Sequence, residues 1–216
     1  SHQRYLQWTP SRLVEWGRKV GPLTAELLDE GTKTRNALKI ADEIDQLGIS
    51  LGVGSGYDVS NVSLSGLTRN FDAGLALMAD IVMNPTFPAE ELERKRQEYL
   101  GRITQEMAQP NSLAQRTWNK VLYGDGHPYA MPPSGAGTTS SVKAITQADL
   151  VTFYKGNYVP NNAAIVMGGD ITLADAQTKL EKAFKNWKQG TVTAPSVAAP
   201  NAPEKTTIYL VDKPGA

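Results

Sequence analysis

The sequence predicts an α+β fold in which helices cover one face of a mostly antiparallel sheet. Two observations carry this. Apolar residues recur at three- and four-residue spacing over 36–48, 69–83, 90–107 and 173–187, the signature of amphipathic or buried helices. Between and after them, 50–67 and 161–169 alternate apolar with polar or small residues, as half-buried strands do.

Residues 1–20 follow neither period, because Tyr5, Leu6, Trp8, Leu13, Val14, Trp16 and Val20 are irregularly spaced, and no element is assigned there. The opening SHQRYLQWTP has neither a charged leader nor an apolar core for export, so any signal peptide is expected to have been removed or never present. The segment GPLTAELLDEGTKTR, 21–35, comes next. Leu23, Leu27 and Leu28 form one stripe, Glu26, Asp29 and Glu30 fall largely off it, and Gly31 is expected to stop the helix in a left-handed turn.

From Asn36, the residues Leu38, Ile40, Ala41, Ile44 and Leu47 predict a helix that Gly48 caps. The stretch SLGVGSGYDVSNVSLSGL predicts a hairpin turning near Tyr57-Asp58, with one face buried. Gly52, Gly54 and Gly56 do not make a phosphate loop, since no Gly-Lys-Ser/Thr follows and the next element is a strand. The Asn61-Val62-Ser63 sequon falls inside that strand and reads as chance.

Arg69–Met83 is a buried helix closed by Asn84-Pro85. Pro88 opens a long one, with Leu92, Tyr99, Leu100 and Ile103 on its apolar side. Asn111 or Ser112 is expected to cap another helix, running to Gly124. GDGHPYAMPPSGAGTTSS reads as a loop, in which His127 is a loop or capping residue. Thr146 caps a helix over 148–154, the strand 161–169 follows, and 173–187 closes the run. Domain organisation is therefore one unit over 1–187, an Ala/Pro-rich linker over 188–205, and at 206–216 the first strand of a further unit.

Composition excludes several functions. With 22 basic and 22 acidic residues the formal charge is zero, which gives no pull toward nucleic acid. No apolar run approaches the roughly 20 residues that cross a bilayer, so membrane insertion is not expected. The absence of cysteine removes disulfides, thiolate zinc sites and cysteine nucleophiles.

Several phrases in order, LLDEGTKTRNALKIADEIDQLG, the hairpin, NPTFPAEELERKRQ, LYGDGHPY, ITQADLVTFYKGNYVPNNAAIVMGGDI and AFKNW, resemble a half-unit of the insulinase/pitrilysin zinc peptidases. In catalytic members of that family an H-x-x-E-H helix supplies two zinc ligands and the general base. Counted back from Gly31-Thr32, the resemblance places those positions on Pro22, Ala25 and Glu26; the family's further acidic pair falls on Lys95 and Arg102. None of the five can perform its family role. The resemblance thus implies a non-catalytic member, with no catalytic, cofactor-binding or metal-binding residue in this chain and zinc in a catalytic partner.

It further implies pairing with an H-x-x-E-H-bearing subunit or homologous half-unit, as in a heterodimer, around a chamber for peptide substrates, in the bacterial periplasm. A substrate-holding R-x6-Y pair is expected beyond Ala216. The alternative is an interaction scaffold of the same fold with no role in proteolysis. A third reading, an active zinc enzyme with other ligands, has only His2 and His127 to draw on as histidines.

Overall fold

The computed structural model describes residues 2–8, 15–56, 58–132, 134–192, 197, 199–200, 205–208 and 210, with the backbone alone at 2–8 and 15–19. Its sheet has four strands, β1 (His2–Trp8), β2 (Ser50–Ser55), β3 (Ser60–Gly66) and β4 (Ala163–Met167), in the order β2-β3-β1-β4. All neighbours are antiparallel. Leu6 lies opposite both Val62 and Ile165, and Val62 opposite Val53, so one rung crosses the sheet.

The stretch that the sequence leaves unassigned thus supplies an interior strand. HQRYLQW lacks alternation because Tyr5 and Leu6 are adjacent apolar residues and Gln3 and Arg4 adjacent polar ones. Its strand character comes from partners on both sides, 52 or more residues away in the chain.

Eight helices are described: α1 (Glu15–Glu26), α2 (Ala37–Leu47), α3 (Phe71–Met83), α4 (Ala89–Ala108), α5 (Pro110–Tyr123), α6 (Thr139–Ala144), α7 (Gln147–Asn157) and α8 (Leu173–Phe184). In β3, Ser60, Val62 and Leu64 are buried beneath the helical layer, while Asn61, Ser63 and Ser65 are only half-buried, which is the alternation the hairpin requires. The core joins Leu64 of the sheet to Leu23 and Leu27 from the α1 region, Leu75 and Ile81 of α3, and Leu150 and Phe153 of α7. Gly21 permits the close approach of α1 to α7, since a Cβ there would lie 3.1 Å from Cζ of Phe153.

Several boundaries differ from expectation. Helix α1 begins at Glu15 and ends at Glu26, where Leu27 and Leu28 donate back only three residues, to the Thr24 and Ala25 carbonyls. Gly31 is not its left-handed cap: at φ 159° it bridges to Asn36, and a Cβ there would meet Pro88 at 2.9 Å. Leu38 points to solvent, 76% exposed, whereas Ile40 is buried and Ile44 and Leu47 pack against the core. Pro110 occupies the first turn of α5 after Gln109, so neither Asn111 nor Ser112 is the cap. The stretch read as irregular contains the start of α6, set by a capping box between Thr138 and Ser141. The Gly48 and Thr146 caps stand where expected, and Asn36 caps the start of α2, its side chain accepting from the Lys39 amide. Half of the linker over 188–205 and most of the strand over 206–216 lie outside the described residues.

Candidate functional site: the junction of α1 and α4

The candidate site forms where α1 ends against the middle of α4. An Asp80-centred network holds the connecting chain in place. Asp80, on α3, accepts hydrogen bonds from Thr32 Oγ1 at 2.8 Å, Arg35 Nη1 at 2.7 Å and Asn84 Nδ2 at 2.9 Å. Burial pushes its carboxyl up, but these donors outweigh burial and hold it below the usual carboxylate range. Arg35 also pairs with Glu43 of α2 at 2.9 Å, so the turn after α1 is tied to two helices.

Helix α4 is fixed by its Arg96, whose guanidinium donates to the Val142 and Ile145 carbonyls, the latter at 2.8 Å, at the end of α6. Leu92, Tyr99 and Ile103 are buried on one side. Leu100 is partly buried beside them.

Of the five positions that the sequence singles out, three come together. Glu26 Oε1 accepts from the Tyr99 hydroxyl at 2.9 Å, and Glu26 Oε2 lies 3.9 Å from Lys95 Nζ. Lys95 Nζ also lies 3.5 Å from both Glu30 and Glu98. The Arg102 guanidinium lies over the Tyr99 ring, 4.8 Å from its centre, in cation–π contact. Pro22 is half-buried within α1, and Ala25 is fully buried, so neither joins the polar cluster. Arg94 completes the cluster, with Glu30 at 2.6 Å, Glu91 at 2.7 Å and Glu98 at 2.5 Å.

Two members of this cluster are not legible as such in the sequence. Tyr99 reads as an apolar-face residue; burial first, then the Glu26 charge, raises its hydroxyl well above the usual phenol range, so it stays a proton donor to Glu26. Its i,i+4 spacing from Lys95 is the one local signal. Asp29 reads only as an acid off the apolar stripe; burial, with the neighbouring Glu30 charge adding to it, pushes its carboxyl up to about 6.

The donor set does not suit zinc. An ammonium lies among the carboxylates, Ala25 offers no donor atom, and among the described residues no group of three or more His, Cys, Asp or Glu is arranged to hold a metal. His127 lies on a separate loop, where its Nδ1 accepts from the Tyr129 amide at 3.1 Å as a cap.

Residues 23–127 match the insulinase family, peptidase family M16, and residues 144–215 match the M16 peptidase inactive domain. The chain belongs to the insulinase family. It is a non-catalytic half-unit of that family. Among curated proteins it is similar to an uncharacterized zinc protease of Rickettsia felis, with 28% identity over 161 residues, 74% of this chain and 38% of the relative. Among solved structures it resembles a peptidase M16 inactive domain from Pseudomonas fluorescens, with a TM-score of 0.83 and 27% identity, over 93% of this chain and 48% of that one. It shares its fold with the periplasmic protease PqqL from Escherichia coli, with a TM-score of 0.76 and 21% identity, over 93% of this chain and 23% of that one. This insulinase-family chain therefore spans well under half the length of the curated relative it matches. Among the described residues, no helix is long and apolar enough to cross a membrane.

Proposed function

We propose that this chain is the non-catalytic member of a paired zinc peptidase, and that it joins an H-x-x-E-H-bearing unit to enclose a chamber in which peptides are cleaved. The observation that carries the reading is the α1–α4 junction. Pro22, Ala25 and Glu26 take the positions of the family's zinc-binding histidines and general base, and Lys95 and Arg102 those of its acidic pair. A residue set with two cations and no imidazole neither holds zinc nor activates water. Zinc then resides in the partner, and this unit contributes wall and shape.

In this reading residues 1–187 form the half-unit, 188–205 link it onward and 206–216 begin the next. The fold shared with a periplasmic protease supports a periplasmic location. Mixing the purified chain with an H-x-x-E-H subunit from the same genome tests the proposal. A stoichiometric complex on size-exclusion chromatography is expected, with peptide cleavage that rises on mixing and is lost on chelation. A chain that stays separate and leaves the partner's cleavage unchanged would favour the scaffold reading instead.

A further inference from the structure

The family implies zinc at this junction and the residues refuse it, yet the acidic groups there still require a counter-charge. Glu26 at the end of α1, Asp29 and Glu30 just after it, and Glu91 and Glu98 of α4 bring five carboxyls to one place. Arg94 is committed to Glu30, Glu91 and Glu98. Arg102 lies over the Tyr99 ring. Lys95 is the cation that reaches Glu26, and its side chain is only 18% exposed.

We infer that Lys95 is the resident cation of this junction: its ammonium neutralises Glu26, Glu30 and Glu98, so that α1 and α4 are held together by a built-in charge and without a metal. The inference rests on the assignment of Glu26 and Lys95 to the family's zinc positions. Physically it requires that carboxylates brought together at reduced solvent exposure repel one another unless a cation stands between them. A lysine tethered to α4 supplies that charge permanently, whereas a bound ion would supply it only at sufficient concentration.

A charge cycle read by thermal unfolding tests it. Lys95→Gln is expected to lower the melting temperature by on the order of 5 °C, because it leaves Glu26 with no ion-pair partner among the described residues and Glu30 and Glu98 with Arg94 alone. Adding Glu26→Gln, whose amide oxygen can still accept from Tyr99, is expected to restore most of that loss. Lys95→Arg keeps the charge and is expected to melt close to wild type. Neither zinc nor a chelator should move the wild-type transition.

The inference is overturned by additive losses in the double variant, by an unchanged melt of Lys95→Gln, or by a zinc-dependent wild-type melt. Should Lys95→Gln fail to fold, the double variant decides: it folds on this account and stays unfolded if Lys95 acts through packing alone. Chelator-sensitive cleavage by the isolated wild-type chain would overturn the non-catalytic reading and leave the cycle standing.

Discussion

Phe87→Ala is expected to cost about 3–5 kcal/mol of folding stability, read as a lowered urea midpoint. Phe87 is 1% exposed and meets Tyr154 of α7 edge-on, with ring centres 5.7 Å apart. Its carbonyl accepts from Gln147 Nε2 at 2.7 Å, so side chain and backbone together dock the α3–α4 connection on α7. The backbone is unusual as well: at φ 49° Phe87 is the one non-glycine with positive φ among the described residues. A left-handed conformation costs an L-residue about 1–2 kcal/mol, which the packing of the ring must offset. Phe87→Gly is therefore expected to be no less stable than Phe87→Ala, the reverse of the usual order. A glycine variant weaker by about 1 kcal/mol or more would show that the backbone there carries no strain. Because this connection leads directly into α4, it also sets Lys95 against α1.

Asp29→Asn is expected to stabilise the chain near neutral pH and to do little in acid. Burial, then the Glu30 charge, raises the Asp29 carboxyl from 3.8 to about 6 in the folded chain. The folded state therefore holds the proton more tightly than the unfolded chain does. The stabilising contribution of protonated Asp29 is complete below about pH 4 and is lost as pH rises through about 6. Above that pH the buried charge costs on the order of 2–3 kcal/mol, which the neutral amide avoids. Urea unfolding of both proteins at about pH 3.5 and about pH 7.5 checks the sign. A variant advantage that is equal at both pH values would mean that Asp29 does not titrate in this window.

What the sequence made legible was local. The Gly48 cap of α2, the Thr146 cap of α7 and the alternation of Val62 and Leu64 in β3 each lie within a few residues of the element they define. Strand β1 was not legible, since pairing with residues 60–66 and 163–167, not its own pattern, makes it a strand. Helix α6 was hidden because its Thr-Ser start reads equally well as loop until the reciprocal capping bonds are in place. At the site, Pro22, Ala25, Glu26, Lys95 and Arg102 could each be picked out one at a time. Their grouping could not, because the Tyr99 hydroxyl meets Glu26 across 73 residues of chain. The burial of Asp29 was hidden for a related reason: it depends on where the chain turns after α1, and that turn comes four residues earlier than Gly31 suggests.

The most direct test of the central claim is the zinc content of the purified chain by elemental analysis, with peptide cleavage assayed on the same sample. The account predicts zinc far below one ion per chain and no cleavage that a chelator abolishes. One zinc per chain, with cleavage lost on chelation and restored by zinc, would contradict it and return catalysis to this chain.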